Sequence, residues 1–432
     1  MALEGNVESM QSLYANTESY PLSRAQQLRE AVLLTFCDPM PEECERLQNL
    51  SSRTWQSLLT WLDTSGMALY FLDRLTQLGR CEMLPPAVLA RLRQNLVDNT
   101  ERNNGMIAES TAIHLGFQSA GLSYAALKGF SLWPVSVPKP ELRSQLDLDF
   151  LISARSAPEA RRILEARGFC LKAISGRSWE FKSGVPGKGS LKNLYKLTLH
   201  RCVELHLEAD DLGQTSLLAR PEKHYFHGVC MPVLQPVDLF LGQGLHLYKH
   251  VCGECWRAAH LIEFRRHVLA RYHDTAFWQE LRKLAEGNLR ASVGLGVVVL
   301  LIAHTMGDFA PEELICWTVD RLPVRISLWV ERYGRRSVFA GHPGDKLYLL
   351  LQQELERVGL TAKRSLRQAL LPSRLPSAIA LGPANETLLV RFARHRRQAS
   401  FTLFRLRFHL VEGLRYLWES TRWQQYVDRL DR

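Results

Sequence analysis

The sequence predicts an α+β protein: a small mixed β-sheet flanked by helical regions on its N-terminal and C-terminal sides. Three observations predict it. Up to about residue 120, apolar positions recur at three- and four-residue spacing. From Gly121 to about residue 212, short runs alternate with a two-residue period. From Pro236 onward the helical spacing returns. At 432 residues the chain exceeds what one hydrophobic core usually holds. The text divides into an N-terminal helical region (1–120), an α/β core (121–212), a helical domain over the cleft (213–345) and an arginine-rich C-terminal helical region (346–432).

Composition narrows the class. Hydrophobic residues make up 46% and charged residues 23%, which excludes a disordered or collagen-like chain. No uncharged apolar stretch reads as long enough to span a bilayer, and MALEGNVESMQSLYANTESY lacks the basic start and apolar centre of a secretion signal. The expectation is a cytoplasmic protein whose nine cysteines are reduced thiols. A formal net charge of +10 suits polyanionic partners, whether nucleotides, nucleic acid or a membrane surface. It equally suits arginines that simply coat helices.

Each element has its own signal. REAVLLTF, TWQSLLTWLD and the long run from Pro86 to Gly121 carry helical spacing, with Pro85-Pro86 in a first turn and Gly121 as a stop. LSYAAL is a short buried strand, followed by LKGFSLWP and the proline-spaced loop VSVPKPEL. In RSQLDLDFLI the alternation puts Leu146, Leu148 and Phe150 on one face, and Asp147, Asp149 and Leu151 on the other. Buried carboxylates are costly unless paired, so an Arg or Lys partner, a water-filled rim or a metal ion is expected beside them. SAPEARRILEARGF is an amphipathic helix with Ser156 as cap, Glu159 as capping-box partner and Gly168 as stop. WEFK and NLYKLTL read as strands around a basic hairpin tip, SGVPGKGSLK. RCVELHLEAD alternates Val203, Leu205 and Leu207 against Glu204 and His206. Beyond Pro236, VDLFLGQGLHLYKHV, ECWRAAHLIEFRRHVLARY, ASVGLGVVVLLIAHTM and GDKLYLLLQQELERVG are helical.

The chemistry gathers on the core. Asp147 and Asp149 stand about two strand rises apart, roughly 7 Å, and Glu204 is a natural third carboxylate if its strand pairs beside theirs. Oxygen donors so grouped suit Mg²⁺ (or Mn²⁺) with substrate phosphates, and paired ions serve in-line phosphoryl displacement. Lys128-Gly129, between a strand and an expected helix, would let backbone and ammonium approach a phosphate.

LSYAALKGFSLWP, ELRSQLDLDFLIS, EARRILEARGF and VELHLE, in that order, resemble the uncharacterised nucleotidyltransferases of the polymerase-β superfamily. Their pattern is Leu-Lys-Gly, then Arg with Asp-x-Asp-Leu-Leu, then a strand ending Asp-Leu-His. The resemblance spans about residues 50–270 and takes in LHLYKHVCGECWRAAHLIEF. It implies a polymerase-β-like core and transfer of a nucleoside monophosphate from an NTP to a hydroxyl-bearing acceptor (small molecule, protein or RNA), with release of pyrophosphate. On that resemblance Asp147, Asp149 and Glu204 are the metal-binding and catalytic carboxylates. Lys128 and Gly129 form the phosphate turn, and His206 matches the histidine after the third carboxylate. Glu204 stands where the pattern has Asp, and Gln145 where a glycine often stands.

Other residues keep two readings. Arg143 could bind triphosphate oxygens or hold the loop. His206 could contact substrate or be structural. His246, Lys249 and His250 share a helix face that could meet phosphates or pack against the core. Cys252-Gly-Glu-Cys255 lacks a second Cys-x-x-Cys and, on one helix with His246 and His250, would not close a zinc tetrahedron. SGVPGKGS breaks the order of a phosphate-binding P-loop. The arginine-rich tail could meet RNA, an acidic protein or lipid headgroups, or expose its arginines to water. The alternative to an enzyme is a non-catalytic module on the same fold that holds nucleic acid or a partner protein through its basic surface.

Overall fold

The computed structural model describes residues 19–184, 194–195, 201–208, 216–254, 256–360, 365–371 and 387–430. They fall into two compact units, one drawn from residues 22–248 and 257–321, the other from residues 19–21, 249–256 and 322–430.

The larger unit begins with helices α1 (Arg24–Leu34), α2 (Ser52–Ser65), α3 (Ala68–Gln77) and α4 (Pro86–Ser119). Ser23 and Gln26 close a reciprocal capping box on α1, Ser51 caps α2, and Pro86 opens α4 where its missing N–H costs nothing. Then follow β1 (Tyr124–Leu127), β2 (Asp147–Ile152), α5 (Ala157–Ala166), β3 (Cys170–Ser175), β4 (Ser178–Ser183), β5 (Arg201–Leu207), β6 (Glu222–Phe226) and β7 (Val229–Val233). Helices α6 (Pro236–Val251), α7 (Ala259–Ala270), α8 (Thr275–Ala285) and α9 (Leu289–Met306) complete the series. The last turn of α6, from Lys249, counts with the other unit.

The strands form one mixed sheet in the order β3-β4-β5-β2-β1-β7-β6. β2 runs antiparallel to β1 and parallel to β5, with Asp149 opposite Leu127 on one side and Glu204 on the other. The alternation sorts the faces as the sequence implies. Leu148, Phe150, Ile152, Val203 and Leu205 pack on Ile113 and Phe117 of α4 and Ala160 and Leu164 of α5. Leu151 turns the other way, into a smaller cluster with Ala125, Leu218 and Leu234. Two apolar layers therefore lock the register of β2, because a one-residue slip would put both aspartates into the larger core.

Several sequence expectations need correction. Leu146 precedes the strand and is 42% exposed. Lys128-Gly129 leads not into a helix but into a single 3₁₀ turn, Gly129–Leu132. Ser156 makes no side-chain cap; Ser153 instead accepts from Ser156 N, and Glu159 pairs with Arg162. The α7 helix starts only at Ala259, and Cys255 lies outside the described residues. The hairpin tip beyond Gly184 also lies outside them, and of NLYKLTL only Leu194–Tyr195, a turn, is described. β4 pairs instead with β3 and β5. The β6–β7 hairpin extends the sheet beyond its expected end at residue 212, with β7 parallel to β1.

Helix α9 is long and apolar enough by composition to cross a membrane, yet 67% of it is buried, with Leu295, Val298 and Ile302 fully covered. The eight described cysteines form no disulfide. In the second unit, α10 (Tyr348–Arg357) meets the C-terminal helix α11 (Leu388–Leu430) through a bond of 2.9 Å from Trp423 Nε1 to Glu354 Oε1.

Candidate active site

The parallel pairing of β2 with β5 brings Asp149, Glu204 and His206 to one face, two of them in direct register. Their donor atoms lie within 4.8 Å of one another, close enough to share a cation. Asp147, on the same face but one strand repeat earlier, falls outside that cluster. Burial and the neighbouring Asp149 carboxylate push the Asp147 carboxyl above its usual range.

Asp149 is 5% exposed. Its Oδ1 accepts from Lys128 Nζ at 3.0 Å and lies 2.9 Å from His206 Nε2. Burial alone would raise this carboxyl, but the His206 hydrogen bond and the Lys128 ammonium outweigh it and hold Asp149 below the ordinary carboxylate range. Glu204 is held by a hydrogen bond from Ser178 Oγ, and its Oε2 lies 3.7 Å from His206 Nε2. His206 thus stands between the two carboxylates.

Lys128 reaches Asp149 from a strained turn. Its φ of 51° and ψ of −160° fall in a region that side chains rarely adopt, at a cost of about 1–3 kcal/mol. Gly129, with φ 48°, follows. A Cβ on Gly129 would collide with the Gln145 carboxamide, so the close approach this glycine permits is to Gln145. The Gln145 Nε2 donates to the carbonyl of Asp147, and its Oε1 accepts from Arg143 Nη1. One buried amide therefore ties the Lys-Gly turn to the start of β2.

Arg143 is engaged as a loop anchor. Its Nε donates to Glu263 Oε1 of α7 at 3.0 Å, and Tyr70 OH donates to the same oxygen at 3.0 Å. The His260 Nδ1 lies 3.3 Å from Glu263 Oε2. Burial opposes ionisation of Glu263, but Arg143, His260 and Tyr70 together bring its carboxyl down to about 2. The loop is clamped again from α4. Asn99 Nδ2 donates to Glu141 O at 2.6 Å and Arg143 O at 3.1 Å, and Asn103 Nδ2 to Pro140 O at 2.6 Å and Arg143 O at 3.1 Å. Farther along α4, Glu109 takes Arg167 Nε at 2.8 Å and also pairs with Arg201 at the start of β5.

Sequence reasoning missed Asn99, Asn103, Glu263 and Tyr70. The two asparagines had a signal, since they sit four residues apart on one helix face between the apolar positions Leu92 and Met106. Of the other sequence candidates, Lys249 and His250 belong to the second unit. Lys128 and Arg143 also border a pocket of about 110 Å³ lined by five leucines, with Asp238, Gln243, His246, His260 and Glu263 as further polar lining.

A family model described as an uncharacterised nucleotidyltransferase matches residues 51–307, a span that contains this site and more than half of the chain. No curated protein matches the chain.

Proposed function

The chain belongs to the uncharacterised nucleotidyltransferase family, and from that premise we propose that it uses a polymerase-β-like core to transfer a nucleoside monophosphate from an NTP to a hydroxyl-bearing acceptor. The observation that carries this reading is the convergence of Asp149, Glu204 and His206 beside the Lys128 ammonium, inside the matched span. The acceptor oxygen attacks the α-phosphorus, the bond from that phosphorus to the bridging oxygen breaks, and pyrophosphate leaves. Glu204 takes the acceptor's proton. Its Ser178 hydrogen bond fixes one oxygen for that task and leaves the other toward His206.

The donor chemistry fits a hard divalent ion. Asp149 and Glu204 supply carboxylate oxygens, Asp147 a further one from the same face, and Asp149 already draws a cation in the form of Lys128. When bound there, Mg²⁺ (or Mn²⁺) would supply positive charge to the triphosphate oxygens. With such an ion held by Asp149, the Lys128 ammonium would be available to the phosphates, while His206 orients the Asp149 carboxylate. Arg143 acts at one remove, by holding Gln145 and the loop.

One observation favours a second reading. The Lys128–Asp149–His206 cluster satisfies the buried carboxylate without any metal, as a non-catalytic module of the same fold would need. The two readings separate in one experiment. Purified protein is incubated with each labelled NTP, Mg²⁺ and cell extract, and mass spectrometry seeks a molecule that gains the nucleotide. Asp149→Asn should lower the yield at least a hundredfold, on the order of 3 kcal/mol in barrier. Equal labelling by wild type and variant would exclude the assigned role.

A further inference from the structure

The arginine-rich C-terminal helix is not absorbed by the nucleotidyl-transfer reading, and its surface is organised. From His409 to Val427 the helix α11 buries a seam, His409, Tyr416, Trp423 and Val427, at seven- and four-residue steps. Away from that seam, Leu403, Leu406, Leu410, Leu414, Leu417 and Trp418 are all more than half exposed. At about 100° per residue these six fall within about 120° of arc, centred about 135° from the seam. The stripe reaches back to Leu389, which is 83% exposed.

Charge is arranged around the stripe. Residues 388–411 contain six arginines and no aspartate or glutamate. Arg396 and Arg407 project within the apolar arc itself and are exposed. The next two acids, Glu412 and Glu419, lie on the seam side and are taken by Arg415 and Tyr333 respectively. An outward face thus offers leucines and tryptophan interlaced with Arg396 and Arg407, which pair with no acid among the described residues.

We propose that this face of α11 docks on an anionic lipid surface, lying in the headgroup plane with the leucine stripe inserted. The partner must accept both components. A second copy of the helix would cover the leucines but set arginine against arginine, with no acid on the stripe between Leu389 and Trp418 to pair them. A single-stranded RNA would take the arginines, but of the six stripe residues only Trp418 offers a ring, and Arg422 already stands 5.0 Å over it. Anionic headgroups over an acyl boundary take the arginines and the leucines together, as interfacial helices do.

The full chain is tested by co-sedimentation with vesicles of phosphatidylcholine alone and of two parts phosphatidylcholine to one part phosphatidylserine. Sedimentation should require phosphatidylserine and weaken as salt is raised. The double variant Leu406→Glu/Leu410→Glu should drop to the phosphatidylcholine level, a loss of about tenfold or more. Arg396→Ala/Arg407→Ala should reduce binding and flatten its salt dependence. Both variants should keep the wild-type circular dichroism and thermal midpoint, since all four side chains face outward. Failure to sediment with anionic vesicles overturns the proposal, as does equal sedimentation of wild type and the double glutamate variant. So does capture by single-stranded RNA, or a dimer in analytical ultracentrifugation that the glutamates dissolve, in the absence of vesicle binding.

Discussion

The Arg143 Nε donates to Glu263 Oε1 at 3.0 Å across 120 residues of sequence, and the Glu263 side chain is only 2% exposed. Removing one member of a buried pair leaves the other charged and unsolvated. Glu263→Ala should therefore cost about 3–5 kcal/mol in urea unfolding. Glu263→Gln keeps a hydrogen-bonding oxygen for Tyr70 and should lose less. If both variants unfold at the wild-type midpoint, the pair does not anchor the loop.

The same pair sets a pH limb. The Glu263 carboxyl sits at about 2 in the fold against an ordinary 4.5, so its ionisation favours the native state. That stabilisation is complete above about pH 4.5 and is lost as pH falls from there through 2, on the order of 3 kcal/mol in all. Urea midpoints between pH 7 and pH 3 should fall more steeply for wild type than for Glu263→Gln. Parallel curves would refute the assignment.

The asparagine clamp gives a separate handle on the loop. Asn99→Ala or Asn103→Ala strands loop carbonyls that each amide now satisfies, at a cost of about 1–3 kcal/mol apiece. Both amides share the Arg143 carbonyl, so the double variant should lose less than the sum. A double-mutant cycle on thermal or urea stability reads the coupling directly. Strict additivity would show that the shared acceptor carries no energy.

Gly129→Ala meets two obstacles, a positive φ and the Gln145 carboxamide. Adding Gln145→Gly removes the second obstacle and leaves the first. The pair should then be more stable than the sum of the single losses predicts, with a coupling of about 0.5–3 kcal/mol. Absence of coupling in urea titrations would place the Gln145 side chain elsewhere.

Lys128→Ala tests whether the ammonium holds the place of a divalent ion. Without metal the variant leaves Asp149 short of a cation and should lower the thermal midpoint. Added Mg²⁺ should then raise the midpoint more in Lys128→Ala than in wild type, because Asp149 is no longer contested. An Mg²⁺ response that is the same in both, or missing from both, argues against an ion at Asp149.

How much of this was legible follows from the range of each interaction. The faces of β2 and β5 were readable because strand alternation is local: Asp147, Asp149, Glu204 and His206 could be placed together once the two strands were taken as neighbours. The Arg143–Glu263 pair was not, since Glu263 is one acid in HLIEFRRH and only the tertiary fold selects it. β3 was missed because five of its six residues are exposed and only Leu171 packs on the core. The β6–β7 hairpin did leave a trace. His227 and Gly228 carry φ of 48° and 81°, the two-residue turn that an X-Gly step favours.

Helix α4 reaches three parts of the site from one rod: Asn99 and Asn103 hold the loop, and Glu109 holds Arg167 and Arg201. Between Asn103 and Glu109 the backbone therefore acts as a ruler. Inserting one residue there would swing the glutamate by about 100° relative to the asparagines, breaking one grip or the other. Relatives that keep both grips can trade residues along that stretch, but their alignments should show no single gap within it.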